Sequence, residues 1–349
     1  MKKRRLLSLL LAFVLLFALA GCSNQTESEP DANAEQPGAP SDTPAEQPEE
    51  EVTIRVAALS GPTAIGMVKL MADSEQGETQ NTYEFTVAGA PDEITGKVIQ
   101  GEFDIAAVPT NVASVLYNKT GGNVQLAALN TLGVLYVVEN GDTVHSMADL
   151  AGQTLYATGK GSTPEYALNY VLEANGLTPG QDLQVEYKTE HAELATLLAS
   201  GQATLALLPQ PFVTSVLTQN PDARVALDLT EEWNKASDGQ SALTMGCIVV
   251  QKEFAQQHPE ALQAFLEEYK ASVDYVTDAE NLEEAAALTE QYGIIKAAVA
   301  QQAIPECNIV FISGEEMKTM ASGFYEVLLE ADPTAVGGQL PGDDFYYEG

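Results

Sequence analysis

Beyond residue 51 the apolar positions fall into short units. A run of consecutive apolar residues gives way to a glycine- or proline-bearing loop, and an apolar stripe at helical spacing follows. The first unit opens with the run 53–59, Thr-Ile-Arg-Val-Ala-Ala-Leu, which predicts a strand. Ser60, Gly61, Pro62 and Thr63 interrupt it, and Ala64, Met67, Val68 and Met71 then fall at i, i+3, i+4 and i+7 on one face of a helix. A second unit repeats the order with Thr154 to Ala157 as the strand, a loop through Thr163, and a helix opened by Pro164 that turns Ala167, Leu168, Val171 and Leu172 inward. Ser162 and Glu165 have capping-box spacing at its start.

A further pair shows the repetition directly. Residues 101–109, Gly-Glu-Phe-Asp-Ile-Ala-Ala-Val-Pro, align at an offset of 100 with residues 201–209, Gly-Gln-Ala-Thr-Leu-Ala-Leu-Leu-Pro. Each segment predicts a helix before it (92–100 and 190–200), a glycine that stops that helix, a buried strand, and a new helix beyond the proline. Alternating strands and helices of these lengths imply parallel sheets covered by helices, arranged as two α/β blocks. In open parallel sheets ligands settle at the carboxyl ends of the strands, where loops meet helix starts. The loops at 60–63, 89–91 and 109–111 in the first block, and at 160–163, 189–191 and 209–211 in the second, are therefore expected to face each other across a cleft.

The first 51 residues follow a different pattern. Lys2, Lys3, Arg4 and Arg5 precede an apolar run from Leu6 to Ala20 that is too short to span a bilayer and ends in Leu19-Ala20-Gly21-Cys22. Residues 1–21 read as an export signal. The ending resembles the bacterial lipobox, which implies a lipidated Cys22 as the mature N-terminus and an extracytoplasmic protein anchored by lipid to the outer face of the bacterial cytoplasmic membrane. Residues 22–51 carry five prolines and nine acidic residues with no basic or aromatic residue, the composition of a disordered, solvated tether.

Charge narrows the partners. The chain of 349 residues has 50 acidic and 16 basic side chains, a net charge of −34, and from Val52 onward 41 acids face 12 bases. A phosphate backbone would be repelled, so no nucleic-acid partner is expected. A polyanionic ligand would need a locally positive pocket.

With these features in place, the chain from residue 52 resembles the extracytoplasmic solute-binding proteins of ABC importers, in the branch that includes nitrate, sulfonate, taurine and thiamine-precursor binders. The resemblance rests on residues 146–153, Ser-Met-Ala-Asp-Leu-Ala-Gly-Gln, and on residues 247–254, Cys-Ile-Val-Val-Gln-Lys-Glu-Phe, with His258, Pro259 and Glu260 following. It implies a two-lobed α/β periplasmic-binding-protein fold of type II, with lobe 1 built from 52–133 and 245–349 and lobe 2 from 134–244. It also implies two extended hinge crossings, near 133–138 and 243–250, and as partners a small-molecule solute, a membrane permease and its ATPase. The stripe of Leu262, Phe265 and Leu266 within 261–276 reads as a core-facing helix rather than a membrane-binding one.

The ligand's charge stays open. An anion would dock on the helix starts at Ser60, Gly61 and Thr63 and at Lys160, Gly161, Ser162 and Thr163, with Lys160 as the one obvious full charge. A neutral heterocycle would use Asn111, Gln210, Phe212, Tyr136 and Trp233 instead. Gly89, Thr110 and His191 complete the candidate ligand residues. The histidines at 145, 191 and 258 lack metal-ligand spacing, and no H-E-x-x-H, C-x-x-C, G-x-S-x-G or P-loop is present, so no catalytic residue, metal or cofactor is expected. The enzymes that share this fold work inside the cell, which an export signal argues against. A sensor that signals to a receptor is the remaining alternative to a transport role. Cys247 and Cys307 either pair within lobe 1 or remain buried thiols.

Overall fold

The computed structural model describes residues 52–349; the export signal, Cys22 and the acidic tether lie outside them. The strand expected at 53–59 forms with those bounds as β1 (Thr53–Leu59). Ile54, Val56, Ala57 and Ala58 are fully buried there, because helices cover both faces of a central strand. The single helix expected next is broken into α1 (Pro62–Ile65) and α2 (Val68–Gln76) at Gly66 and Met67. At the break the backbone runs against another helix, since a Cβ on Gly66 would lie 3.1 Å from the Tyr269 hydroxyl.

The chain continues through β2 (Thr82–Ala88), α3 (Asp92–Ile99), β3 (Ile105–Pro109), α4 (Thr110–Thr120), β4 (Val124–Leu132), β5 (Leu135–Asn140) and β6 (Thr154–Ala157). It then forms α5 (Thr163–Ala174), β7 (Gln184–Tyr187), α6 (His191–Ala199), β8 (Leu205–Pro209), α7 (Phe212–Gln219), β9 (Ala223–Asp228), α8 (Leu229–Ala236) and β10 (Thr244–Gln251). The last part is α9 (Lys252–Gln257), α10 (Pro259–Thr277), α11 (Leu282–Gln291), α12 (Ala297–Ala303), β11 (Ile309–Ile312) and α13 (Gly314–Ala331).

The strands form two sheets, β11-β4-β10-β3-β1-β2 and β7-β6-β8-β5-β9. Neither is all parallel, contrary to the sequence expectation. Strand β10 runs antiparallel between β3 and β4, β11 antiparallel to β4, and β5 antiparallel to both β8 and β9. The cause is the path between sheets. The chain leaves the first sheet at Gly133 and Val134 and enters the second in reverse as β5; it returns through residues 237–243 and re-enters the first as β10. Residues 244–250, expected within an extended crossing, thus lie inside the first sheet, where Cys247, Ile248, Val249 and Val250 are buried.

The repeat at offset 100 is reproduced in three dimensions. Gly101 (φ 72°) and Gly201 (φ 75°) both adopt the left-handed conformation that a side chain disfavours. Each closes its helix in the same way: the Glu102 N–H donates to Lys97 O and the Gln202 N–H to Leu197 O, both at 2.9 Å. Residues of β3 and β8 are all buried. Helix α10 buries Leu262, Phe265 and Leu266, as its spacing predicts.

One apolar cluster runs through both halves, and α13 is its bridge. Trp233 on α8 is fully buried between Tyr170 on α5 (centroids 4.7 Å) and Phe324 on α13 (5.4 Å). Its indole N–H donates to Ser241 O at 3.0 Å, so the polar edge is satisfied within the core. Trp233 is therefore a packing residue and does not border the cleft. The first crossing is tightly seated, because a Cβ on Gly133 would lie 2.2 Å from Thr230 Oγ1.

Candidate functional site

In the first sheet β1, β2, β3 and β4 share one direction, so their carboxyl ends reach a common edge, and β6, β7 and β8 do the same in the second. A cavity of about 70 Å³ lies where these edges meet. Its walls include Leu59, Gly89, Pro109 and Thr131 from the ends of the first sheet and Gly159, Thr189 and Pro209 from the second, with Val134 and Met245 beside the two crossings. A single water needs roughly 10–15 Å³ on the same measure, so the space suits a compact solute or several waters. The walls are more apolar than polar, as ligand pockets usually are.

Of the residues singled out from sequence, Ser60, Thr63, Gly89, Ser162 and His191 border this cavity. The Thr63 hydroxyl donates to Leu59 O at 2.7 Å, and the Ser162 hydroxyl donates to Gly159 O at 2.6 Å. Ser162 is the N-cap of α5, but its side chain makes no cap bond, so the capping box expected with Glu165 does not form. Glu165 instead accepts the Gly161 N–H at 2.5 Å. His191 opens α6, with Nδ1 2.5 Å from Thr158 Oγ1 and its ring 5.2 Å from that of Phe212. Crowding by protein atoms lowers its pKa to about 4, so the imidazole is neutral at pH 7.

The other candidates do not border the cavity. Lys160 is exposed, with its ammonium 5.8 Å from the centre of the Tyr187 ring. Asn111 is fully buried; its Nδ2 donates to Ala335 O at 3.0 Å and its Oδ1 accepts from Thr163 Oγ1 at 3.1 Å. That bond joins α4 to α5 across the two halves. Thr110 is buried beside it, and its carbonyl accepts from the Tyr325 hydroxyl at 2.8 Å. Gln210 turns back on α7, where its Oε1 accepts from Thr214 N–H (3.2 Å) and Oγ1 (2.9 Å). Gly61 and Gly161 are loop residues beside the wall, both at positive φ. Phe212 is buried and Tyr136 half-buried, neither on the wall.

The cysteines also resolve. Cys247 and Cys307 are both free and buried, so the possible disulfide is not made, and burial pushes both thiols up. Cys247 donates weakly to Val108 O at 3.5 Å. Six wall residues lie outside the loops named from the sequence: Leu59, Thr131, Val134, Gly159, Pro164 and Met245. Leu59, Gly159 and Pro164 flank those loops, whereas Val134 and Met245 fall within the crossings expected near 133–138 and 243–250 and Thr131 lies just before the first, a signal of chain path rather than local pattern. Among the described residues no group of histidine, cysteine and carboxylate side chains is placed to hold a metal ion, and no helix is long and apolar enough to cross a membrane.

Comparison with known proteins agrees with this geometry. No curated protein matches the chain. An ABC transporter structure from Parabacteroides distasonis superposes with a TM-score of 0.68 at 25% identity, covering 85% of this chain and 99% of that one. The periplasmic aliphatic sulphonate binding protein SsuA of Escherichia coli gives 0.63 at 18% identity, over 85% and 92% of the two chains. The periplasmic nitrate-binding protein NrtA of Synechocystis gives 0.54 at 16%, over 69% and 66%. These structures have the type II periplasmic-binding-protein fold, with two sheets flanked by helices. A family model described as "ABC transporter, phosphonate, periplasmic substrate-binding protein" matches residues 69–303, about two thirds of the sequence, and the chain belongs to that family of ABC-transporter substrate-binding proteins.

Proposed function

We propose that this protein captures a small solute between its two halves, closes on it by rotation about the two crossings, and presents the closed form to a membrane permease and its ATPase. The observation that carries this reading is the cavity walled from both sheets. A solute can shift open and closed populations only through contacts that differ between them, and a site shared by both halves supplies such contacts. The moving bodies are the segments 52–133 with 245–349 against 134–244, and the ligand residues are those on the wall, with Ser60, Thr63, Gly89, Ser162 and His191 foremost. In this reading Cys22 carries the lipid, and residues 22–51 hold the body away from the membrane. The protein's work is binding, not chemistry, as its family membership supports.

Thermal melting against a panel of small nutrients tests this. A true solute at 100 times its Kd stabilises by about 2.7 kcal/mol, a shift of several degrees, and also reduces the radius of gyration in solution scattering. The Ser60→Trp variant, which fills the cavity, should lose both effects. A solute whose stabilisation survives that variant, or a panel that leaves the melting temperature unmoved, would count against the assignment.

A further inference from the structure

An oxyanion needs N–H donors or positive charge at its binding site. In the loops best placed to supply N–H groups, two donors on each side are already committed. In the second half, Gly161 N–H donates to the Glu165 carboxylate at 2.5 Å and Ser162 N–H donates to Gly159 O at 3.0 Å. In the first half, Ala90 N–H donates to the Glu93 carboxylate at 3.0 Å and Ser60 N–H donates to Ala88 O at 2.8 Å. In each half the protein's own glutamate takes an N–H group that an anionic ligand would want.

The rest of the wall agrees. Five wall residues, at 62, 91, 109, 164 and 209, are prolines, which have no N–H. No lysine or arginine is on the wall, and Lys160 sits outside over an aromatic ring. The hydroxyls of Thr63 and Ser162 give their protons to backbone carbonyls, and that of Thr131 gives its proton to Asn130 Oδ1 at 3.2 Å, so what these oxygens offer the cavity is lone pairs. At Gly89 the two halves bring carboxylates together: a Cβ there would lie 3.4 Å from Glu190 Cδ and 3.5 Å from Glu93 Oε1. An anion would meet the carboxylates of Glu93 and Glu190 beside Gly89 with no lysine or arginine on the wall to balance them.

We infer that the cleft is built for an electrically neutral solute that offers N–H or O–H groups to hydroxyl oxygens and lays an apolar face on the prolines, and that it rejects phosphonates, sulfonates and nitrate. The inference rests on the cleft being the solute site. The low pKa of His191 agrees with it, because a neutral imidazole adds no positive charge.

Two measurements on the full chain test it. Calorimetric titration with methylphosphonate, ethanesulfonate and nitrate is expected to show no binding; a Kd below about 100 μM for any of them overturns the inference. The chain is also incubated with the low-molecular-weight fraction of a rich growth medium, desalted and denatured, and the released compounds are identified by mass spectrometry against the Ser60→Trp variant. The expected result is a compound, neutral at pH 7 and bearing N–H or O–H groups, enriched at least about tenfold over the variant. An enriched phosphonate, sulfonate or carboxylate overturns the neutral-solute inference and leaves solute capture standing. Enrichment of nothing overturns solute capture, and this inference falls with it.

Discussion

Strands β3 and β8 are built from the same instructions 100 residues apart, yet the residues just beyond them do opposite work. After Pro109, Asn111 turns into the interface between the halves, where it holds Ala335 O and Thr163. After Pro209, Gln210 folds back to satisfy Thr214 in its own helix. The repeated backbone delivers both segments to the cleft edge with equal precision, and one or two side chains decide whether a segment joins the halves or serves only itself. Duplication of a fold unit supplies position, whereas the role comes from residues outside the repeat.

That contrast can be tested by how much each side loses. Asn111→Ala removes two buried hydrogen bonds and orphans a buried carbonyl, and is expected to cost roughly 2–4 kcal/mol in urea unfolding, against about 1 kcal/mol for Gln210→Ala. Equal costs would erase the distinction. The shared part should behave identically: Gly101→Ala and Gly201→Ala each force a left-handed backbone on alanine and should each lose about 1–2 kcal/mol, agreeing within about 0.5. Coupling should appear on one side alone. A double-mutant cycle of Asn111→Ala with Thr163→Val is expected to give about 1 kcal/mol of interaction energy, and Gln210→Ala with Thr163→Val close to none.

A pH-dependent effect belongs to the second half. The pKa of His191 is lowered from 6.5 to about 4 in the folded protein, so the unfolded chain binds the extra proton first as pH falls. Its contribution to stability is complete above pH 6.5, declines between 6.5 and about 4, and is constant below. Chemical denaturation across that range should show a steeper loss for the wild type than for His191→Gln. Parallel profiles would mean that His191 titrates normally.

Much of this architecture is legible in the sequence because strand runs, helical stripes and stop glycines are local signals. The bounds of β1 and the two helices ending at Gly101 and Gly201 are read from them directly. Which sheet a strand joins is not local. Residues 244–250 look extended whether they cross between halves or lie within a sheet, and only the pairing of β10 with β3 and β4 decides. The short β11 escaped for the same reason, since its four residues take their identity from pairing with β4. At the site, the loops were visible as glycine- and proline-bearing breaks, but the commitment of their donors was not. Whether Gly161 N–H is free or bound to Glu165 depends on a side chain folding back over its own loop, and whether the Lys160 ammonium faces the cavity or, as here, the Tyr187 ring depends on side-chain direction.

Trp233 is the only tryptophan in the sequence, and it lies between an aromatic ring of α5 and one of α13. The protein thus carries a single built-in fluorophore at the seam. A rotation that draws α8 away from Phe324 would let water approach the indole and shift its emission to longer wavelength, so the proposed closure can be tested optically in the unlabelled chain, in real time and without knowing the solute in advance.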